Sequence, residues 1–414
     1  MKPKIFVSHS GRQYVHQLLQ ALQVNGYDFV FFTSFAYKPG SFPFNFVKFL
    51  PLKLKNVLER EFRKRSFGPI EENKIKHFPY FEFIRELTDK LFKNKIAEKM
   101  LFYRDRVHDR WASKKVSANF QIVIGYEECC VETFRKAKEL GITTILDLAQ
   151  IHYKEIEDIS NKFPVFSEIY TNQKLRVKIN RIKEEEMALA DHILCLSEFA
   201  KESLIKHGIP GGKIVVVNLG FDPEKFSPKT SYSLGAKLRL AYSGTITKRK
   251  GIDLLLKLKN ELPDKIDLTF IGPMADAHQL FENNKGKFAW YPYLEQNEMN
   301  GILKENDLFV FPSYLDSWAM VVIEGMACGL PVIVTENTGA KDAVDLNCGY
   351  IIPSGDYTSL KETVLSFYNN QAKIPPMGIA ARKKAEEYTW ANYQQHVQKI
   401  FEDIVPTNLQ IKKS

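Results

Sequence analysis

The sequence predicts an α/β protein of two doubly wound, Rossmann-like domains facing a central cleft. Three stretches carry this. KIFVSHSGRQYVHQLLQALQVNGYDFVFFTS, near the start, reads as strand, loop, amphipathic helix and strand. LRLAYSGTITKRKGIDLLLKLKNEL, from Leu238, repeats that plan. DLFVFPSYLDSWAMVVIEGMACGLPVIVTENTGAKD, from Asp307 to Asp342, reads as strand, helix and strand, covered on both faces.

The elements follow in order. Lys4 to Ser8 is a first strand. Val15, Leu18, Leu19 and Leu22 recur at helical spacing, and Gly26 stops that helix. Gly11, in Ser10-Gly11-Arg12, serves the turn between them. FQIVIGYEECC is a buried strand, VETFRKAKEL a helix ended at Gly141, and ITTILDLA a strand whose following loop carries His152. A long helical stretch leads to the strand ILCLS. Ser197 then caps a helix with Glu198 in its first turn. KIVVV is the exit strand, and Asp222 is a turn residue. Asp222 to Lys237, rich in Pro, Gly and Ser, is the linker between a domain of residues 1–220 and one of 221–379.

In the second domain, Ile252, Leu255, Leu256 and Leu258 mark a helix, and DLTFIGP a strand with a Gly-Pro turn. FAWYPY is a strand, followed by a helix led by Gln296 and Asn297. Leu308 to Pro312 is a buried strand and Ala319 to Cys328 a helix. Gly329 ends that helix, and Pro331 opens the strand PVIVT. A helix over 380–402 closes the chain by crossing back to the first domain.

Composition narrows the setting. The five cysteines, at 129, 130, 195, 328 and 348, form no CxxC pair, which predicts a reducing compartment without disulfides or zinc. No signal peptide is expected from MKPKIFVSHS, and no apolar run reaches the roughly 18–20 residues of a membrane span. A cytoplasmic protein is expected, or one peripheral on the inner face of the cytoplasmic membrane. The net charge of +9 is uneven. Residues 35–115 hold 20 Lys and Arg against 10 Asp and Glu, with 16 aromatics, so the remainder is near neutral. Read as a basic, aromatic helical insertion, this stretch suits an anionic membrane surface. A solvated insertion packed on its own domain is the alternative. Nucleic acid is not expected, because no RNP, KH or zinc-finger pattern occurs.

Two clusters carry chemistry. Glu324 is the one charged side chain between Asp316 and Glu336, inside an apolar helix. Burying it unpaired costs several kcal/mol. A core Lys or Arg would satisfy it structurally, and a ligand's hydroxyls would satisfy it functionally. The loop before it runs from the C-terminal end of a strand into a helix N-terminus, which is where open α/β sheets bind ligands and where phosphate is favoured. Lys248, Arg249 and Lys250 stand just before another helix start. There they oppose the helix dipole unless an anion is present.

PSYLDSWAMVVIEGMACGLPVI resembles the signature of retaining GT-B glycosyltransferases of family 4, the glycosyl transferases group 1. That signature places an acidic residue, then Glu, then a helix end and GxPVI. Here the acids are Asp316 and Glu324. SGTITKRKG and EEEMALADHILCLSEFAKESL resemble further stretches of the same family, with Thr245 where the family has Arg and Ser317 and Ala319 where it has Gly. The resemblance implies a nucleotide diphosphate sugar as donor and a glycan or lipid-linked acceptor. It implies that Lys250 and Arg249 hold the diphosphate, which is electrostatic stabilisation without a metal or cofactor. It implies Glu324 on the ribose, and Asp316 with the loop Ser317, Trp318, Ala319 and Met320 on the donor sugar. Gly11, Gly244 and Thr245 would line the donor site, Tyr293 and Leu294 the base, and His152 the acceptor. No DxD, P-loop, HExxH, GxSxG or GxGxxG occurs. The leading expectation is a sugar transferase acting in cell-surface polysaccharide or glycolipid assembly. A non-catalytic scaffold at a membrane, and a nucleotide-sugar epimerase or phosphorylase of the same fold, are the alternatives.

Overall fold

The computed structural model describes residues 2–37, 66–78, 95–163 and 172–404, with Val165 and scattered positions between 51 and 62. Seven strands form the first sheet: β1 (Lys4–His9), β2 (Asp28–Thr33), β3 (Ile75–His77), β4 (Ile122–Tyr126), β5 (Thr143–Leu148), β6 (His192–Cys195) and β7 (Ile214–Val216). Six form the second: β8 (Leu238–Ser243), β9 (Ile266–Ile271), β10 (Ala289–Tyr291), β11 (Leu308–Phe311), β12 (Val332–Thr335) and β13 (Gly349–Ile352). The orders are β3-β2-β1-β4-β5-β6-β7 and β10-β9-β8-β11-β12-β13, and neighbouring strands pair in parallel. Each sheet therefore reverses its winding once, between β1 and β4 and between β8 and β11. A crevice opens beyond the strand ends at such points.

The helices are α1 (Val15–Val24), α2 (Lys95–Ser113), α3 (Val131–Glu139), α4 (Tyr153–Lys162), α5 (Gln173–Leu189), α6 (Glu198–Lys206), α7 (Ile252–Glu261), α8 (His278–Glu282), α9 (Gln296–Lys304), α10 (Met320–Ala327), α11 (Tyr357–Asn369), α12 (Ile374–Ala385) and α13 (Trp390–Ile404). Strands covered on both faces need continuous apolar runs. β11 and β12, LFVF and VIVT, are buried at every position.

The closing helix expected over 380–402 is two helices. α12 ends at Ala385 and α13 begins at Trp390. Phe221 explains the break: its N–H donates to Tyr388 O, and its carbonyl accepts from Trp390 N–H. Linker and returning chain thus touch. A Cβ on Gly220 would lie 2.3 Å from the Thr389 carbonyl carbon, so only glycine fits there. α13 then packs on α1. Asn25 Nδ2 donates to Gln394 O at 2.9 Å, and the Tyr27 and Phe401 rings lie 5.6 Å apart.

The stretch 35–115 is not wholly an appended helical insertion. β3 extends the first sheet, and Trp111 of α2 packs edge-on against Phe32 of β2 at 5.6 Å. Phe67 packs on Phe31. The aromatic runs at 42–49 and 80–83 lie outside the described residues. Among the described residues, no helix is long and apolar enough to cross a membrane.

Candidate active site

The site forms where β8 and β11 end side by side. After β8 the chain turns at Gly244 and runs through a short 3-10 turn, Lys248–Lys250. Gly251 then turns it into α7 with φ 73°, and a Cβ there would lie 2.0 Å from Pro312 O. This close approach welds the cationic turn to the end of β11. Arg249 Nη1 donates to Leu315 O at 3.1 Å, and Arg249 O accepts from Tyr314 N–H at 2.9 Å. The Lys250 ammonium pairs with the Asp316 carboxylate. Burial and the Arg249 guanidinium push the Lys250 pKa down, while burial lowers that of Arg249.

Asp316 begins the loop into α10. Its Oδ1 accepts from Trp318 N–H at 3.1 Å. Ala319, the N-cap, lies in the left-handed region at φ 64°, a conformation in which an L side chain is strained. The first N–H groups of α10 have no intrahelical acceptor, and the helix dipole adds positive potential at that end.

A cavity of about 470 Å³ unites these parts. From the second domain it is lined by Gly244, Thr245, Arg249, Lys250, Asp316 and the segment Ser317–Val321, together with Thr247 and Phe311. Ala149, Gln150, Leu196 and Leu219 close it from the first domain. The same loop bonds across the cleft. Ser317 Oγ donates to Gln150 Oε1 at 3.2 Å, Ser317 O accepts from Ser197 Oγ at 2.8 Å, and Trp318 Nε1 donates to Leu219 O at 3.0 Å.

Glu324, one turn into α10, lines an adjoining cavity of about 890 Å³ with Gln296, Met320, Asp222 and Gln150. It is 5% exposed. Among the described residues its carboxylate has no hydrogen bond or ion pair, so no core cation satisfies it. Burial pushes its pKa up to about 7.

Several expected residues lie elsewhere. His152 is the N-cap of α4, buried, with Nδ1 accepting from Lys154 N–H and its ring stacked between Tyr153 and His207. Capping uses the side chain that the loop position suggested for acceptor contact. Gln150, two residues earlier, reaches the cleft instead. Tyr293, two residues past the edge strand β10, is 74% exposed and donates to Glu295. Neither it nor Leu294 lines these cavities. Gly11 donates its N–H to His9 Nδ1 and does not line the 470 Å³ cavity. The linker residue Asp222 makes its turn, accepting from Glu224 N–H, and also lines the larger cavity. Among the described residues one cluster has metal-ligand character, Glu155, Asp158 and His207. Lys206 pairs with both of its carboxylates, and it does not line the cleft.

Comparison with known proteins bears on the fold and on the second domain. Residues 227–388 match the family described as Glycosyl transferases group 1. The amylovoran biosynthesis glycosyltransferase AmsK of Erwinia amylovora is 28% identical over 223 residues, which is 50% of this chain and 53% of that protein. The chain thus spans about half the length of that curated relative. Among solved structures, sucrose-phosphate synthase from Thermosynechococcus elongatus superposes with a TM-score of 0.65 at 16% identity, covering 97% of this chain and 99% of that one. The Anabaena protein HepE, solved in complex with UDP, gives 0.64 at 13% identity over 98% and 100%. Residues 227–388 thus match the group 1 glycosyl transferases, in a chain whose two-domain fold is of the GT-B kind.

Proposed function

We propose that this protein is a retaining, metal-independent glycosyltransferase of polysaccharide or glycolipid assembly, taking its sugar from a nucleotide diphosphate sugar. The observation that carries this is the 470 Å³ cavity, in which Arg249, Lys250, Asp316 and the N-terminus of α10 converge beneath Gln150 of the other domain. Buried cations and helix amides suit a diphosphate, and in a dry site they stabilise charge developing on the leaving group. Glu324, buried and unpartnered at the next opening, suits the two ribose hydroxyls. Asp316 suits donor-sugar hydroxyls.

In the reaction the donor C1–O bond breaks and the acceptor oxygen bonds C1 on the same face. The acceptor proton passes to an oxygen of the departing diphosphate. Arg249 and Lys250 hold that diphosphate throughout. The acceptor is a glycan or a lipid-linked glycan, and the basic segment 35–115 would bring the cleft to an anionic membrane.

The test is incubation with UDP-, GDP- and ADP-sugars, following nucleotide release with and without acceptor glycans. Acceptor-dependent release with retained anomeric configuration is expected. Nucleotide binding without turnover would point to the scaffold reading. Conversion of the donor without transfer would point to the epimerase.

A further inference from the structure

The first sheet also has a switch point, between β1 and β4, and a second polar cavity lies at it. It measures about 240 Å³ and is lined by His9, Ser10, Gln13, Arg104, Asp105, Glu127, Glu128, Asp147, Ala149, Gln150 and Lys183. At ~30 Å³ per water it has room for roughly eight waters, or one pyranose ring. Ala149 and Gln150 line the donor cavity too, so the two spaces are neighbours.

α2 builds one wall. His108 Nε2 and Ser8 Oγ lie 2.9 Å apart, tying α2 to β1. Ser10 Oγ donates to Asp105 Oδ1 at 2.5 Å, and Arg104 Nη2 donates to the same oxygen at 2.7 Å. On the far wall Lys183 pairs with Glu127 and Glu128, both at 3.0 Å. Asp147 is buried at the end of β5 and accepts from Tyr14 O–H at 2.6 Å. Four carboxylates thus face two cations, and both cations are already matched.

His9 is the polar group left over. It is 5% exposed and its ring stacks on Tyr126 at 4.3 Å. Nδ1 accepts from Gly11 N–H at 3.3 Å, which places the proton on Nε2. Nε2 is buried and, among the described residues, has no hydrogen-bond partner. Burial, Arg104 and His108 push the imidazole pKa down to about 3, so it stays neutral. A buried, unmet donor on a cavity wall is expensive unless a ligand meets it.

Resting on the transferase reading, we propose that this cavity is the acceptor subsite and admits the hydroxyls of a neutral sugar, not a phosphate or uronate. His9 Nε2–H donates to one hydroxyl, and the carboxylates accept from others. His9 is thereby a specificity-determining residue, and α2 ties acceptor choice to the segment 35–115.

The test is saturation-transfer NMR and titration of the full chain. The probes are neutral p-nitrophenyl hexosides, set against glucose 1-phosphate and glucuronate. Neutral glycosides should bind and the anions should not. His9→Ala should weaken the neutral ligands about tenfold, the scale of one buried hydrogen bond, and His9→Gln, which keeps a donor, should recover most of that. Nucleotide binding, read by thermal shift on the same samples, should not change. Equal or tighter binding of the anions, no binding of any neutral glycoside, or an unaltered His9→Ala affinity would each overturn the proposal. The charge comparison needs only the unmodified chain, so it decides even if His9→Ala fails to fold. Saccharide binding that depends on His9, without nucleotide binding, would keep this subsite and reject the transferase reading.

Discussion

Lys250 and Asp316, 66 residues apart in sequence, are paired on the wall of the 470 Å³ cavity. The cation is held in place before any ligand arrives, and its counter-charge comes from the loop that leads into α10. On the proposed reading, an incoming diphosphate would meet an oriented ammonium, with Arg249 beside it.

Lys250→Ala should lower kcat by about 10²–10³, the scale for losing one donor to developing charge. Activity should persist in EDTA, because the cations take the role of a metal. Complete loss in EDTA, restored by Mn²⁺, would refute this division of labour. The assay is sugar transfer at saturating donor.

Glu324→Gln should have opposite effects on stability and on binding. The folded-state pKa of Glu324 lies near 7, above its ordinary 4.5. The folded protein thus holds this proton more tightly than the unfolded chain does. The sign follows: stability falls as pH rises from about 4.5 to about 7. The Gln variant should melt at a higher temperature than the unmodified chain at pH 8 and near it at pH 5. Nucleotide-sugar affinity should nonetheless fall by about 1.5–3 kcal/mol, the range for a hydrogen bond to a charged group. Calorimetric titration at pH 8 with unchanged affinity would remove Glu324 from the ribose.

Ala319→Gly should stabilise the protein. Ala319 sits at φ 64°, where a Cβ costs roughly 1–2 kcal/mol. Glycine's extra unfolded-state entropy offsets about 0.4–1 kcal/mol of that gain. A modest rise in melting temperature is expected, with donor affinity retained. A fall would mean the Ala319 methyl makes packing contacts worth more than the strain.

The segment 35–115 should bind anionic vesicles. Its ten-charge excess and 16 aromatics suit an interface, at about 1 kcal/mol per basic residue near the surface. Co-sedimentation should require anionic lipid and weaken with salt. No binding at low salt would leave it as a packed part of the first domain, as Trp111 and Phe67 already are.

What the sequence revealed was mostly local. The donor groups Arg249, Lys250, Asp316 and Glu324 sit within two short stretches, each at a strand-to-helix turn, so spacing alone brings them to one sheet edge. His9, Asp105 and Gln150 come from β1, α2 and the end of β5. Only the β1–β4 crossover assembles them, and no window of sequence contains it. His152 is a helix N-cap, and a loop His and a helix N-cap look alike in sequence until the following helix is placed. Tyr293, expected at the base from the family resemblance, lies just past β10, the sheet's edge strand, and is exposed, which the sequence alone does not display.

The loop 316–318 does two jobs at once. It lines the 470 Å³ cavity, and through Ser197, Gln150 and Leu219 it is also one of the contacts between the domains. Asp342 adds a further tie, accepting from Glu198 N–H at the start of α6. Drawing the domains apart must therefore strain the loop proposed to grip the donor. On that proposal the angle between the domains and the affinity for donor become one thermodynamic coordinate, and the coupling is reciprocal. A ligand that favours the closed angle from the first domain tightens the grip in the second without touching it.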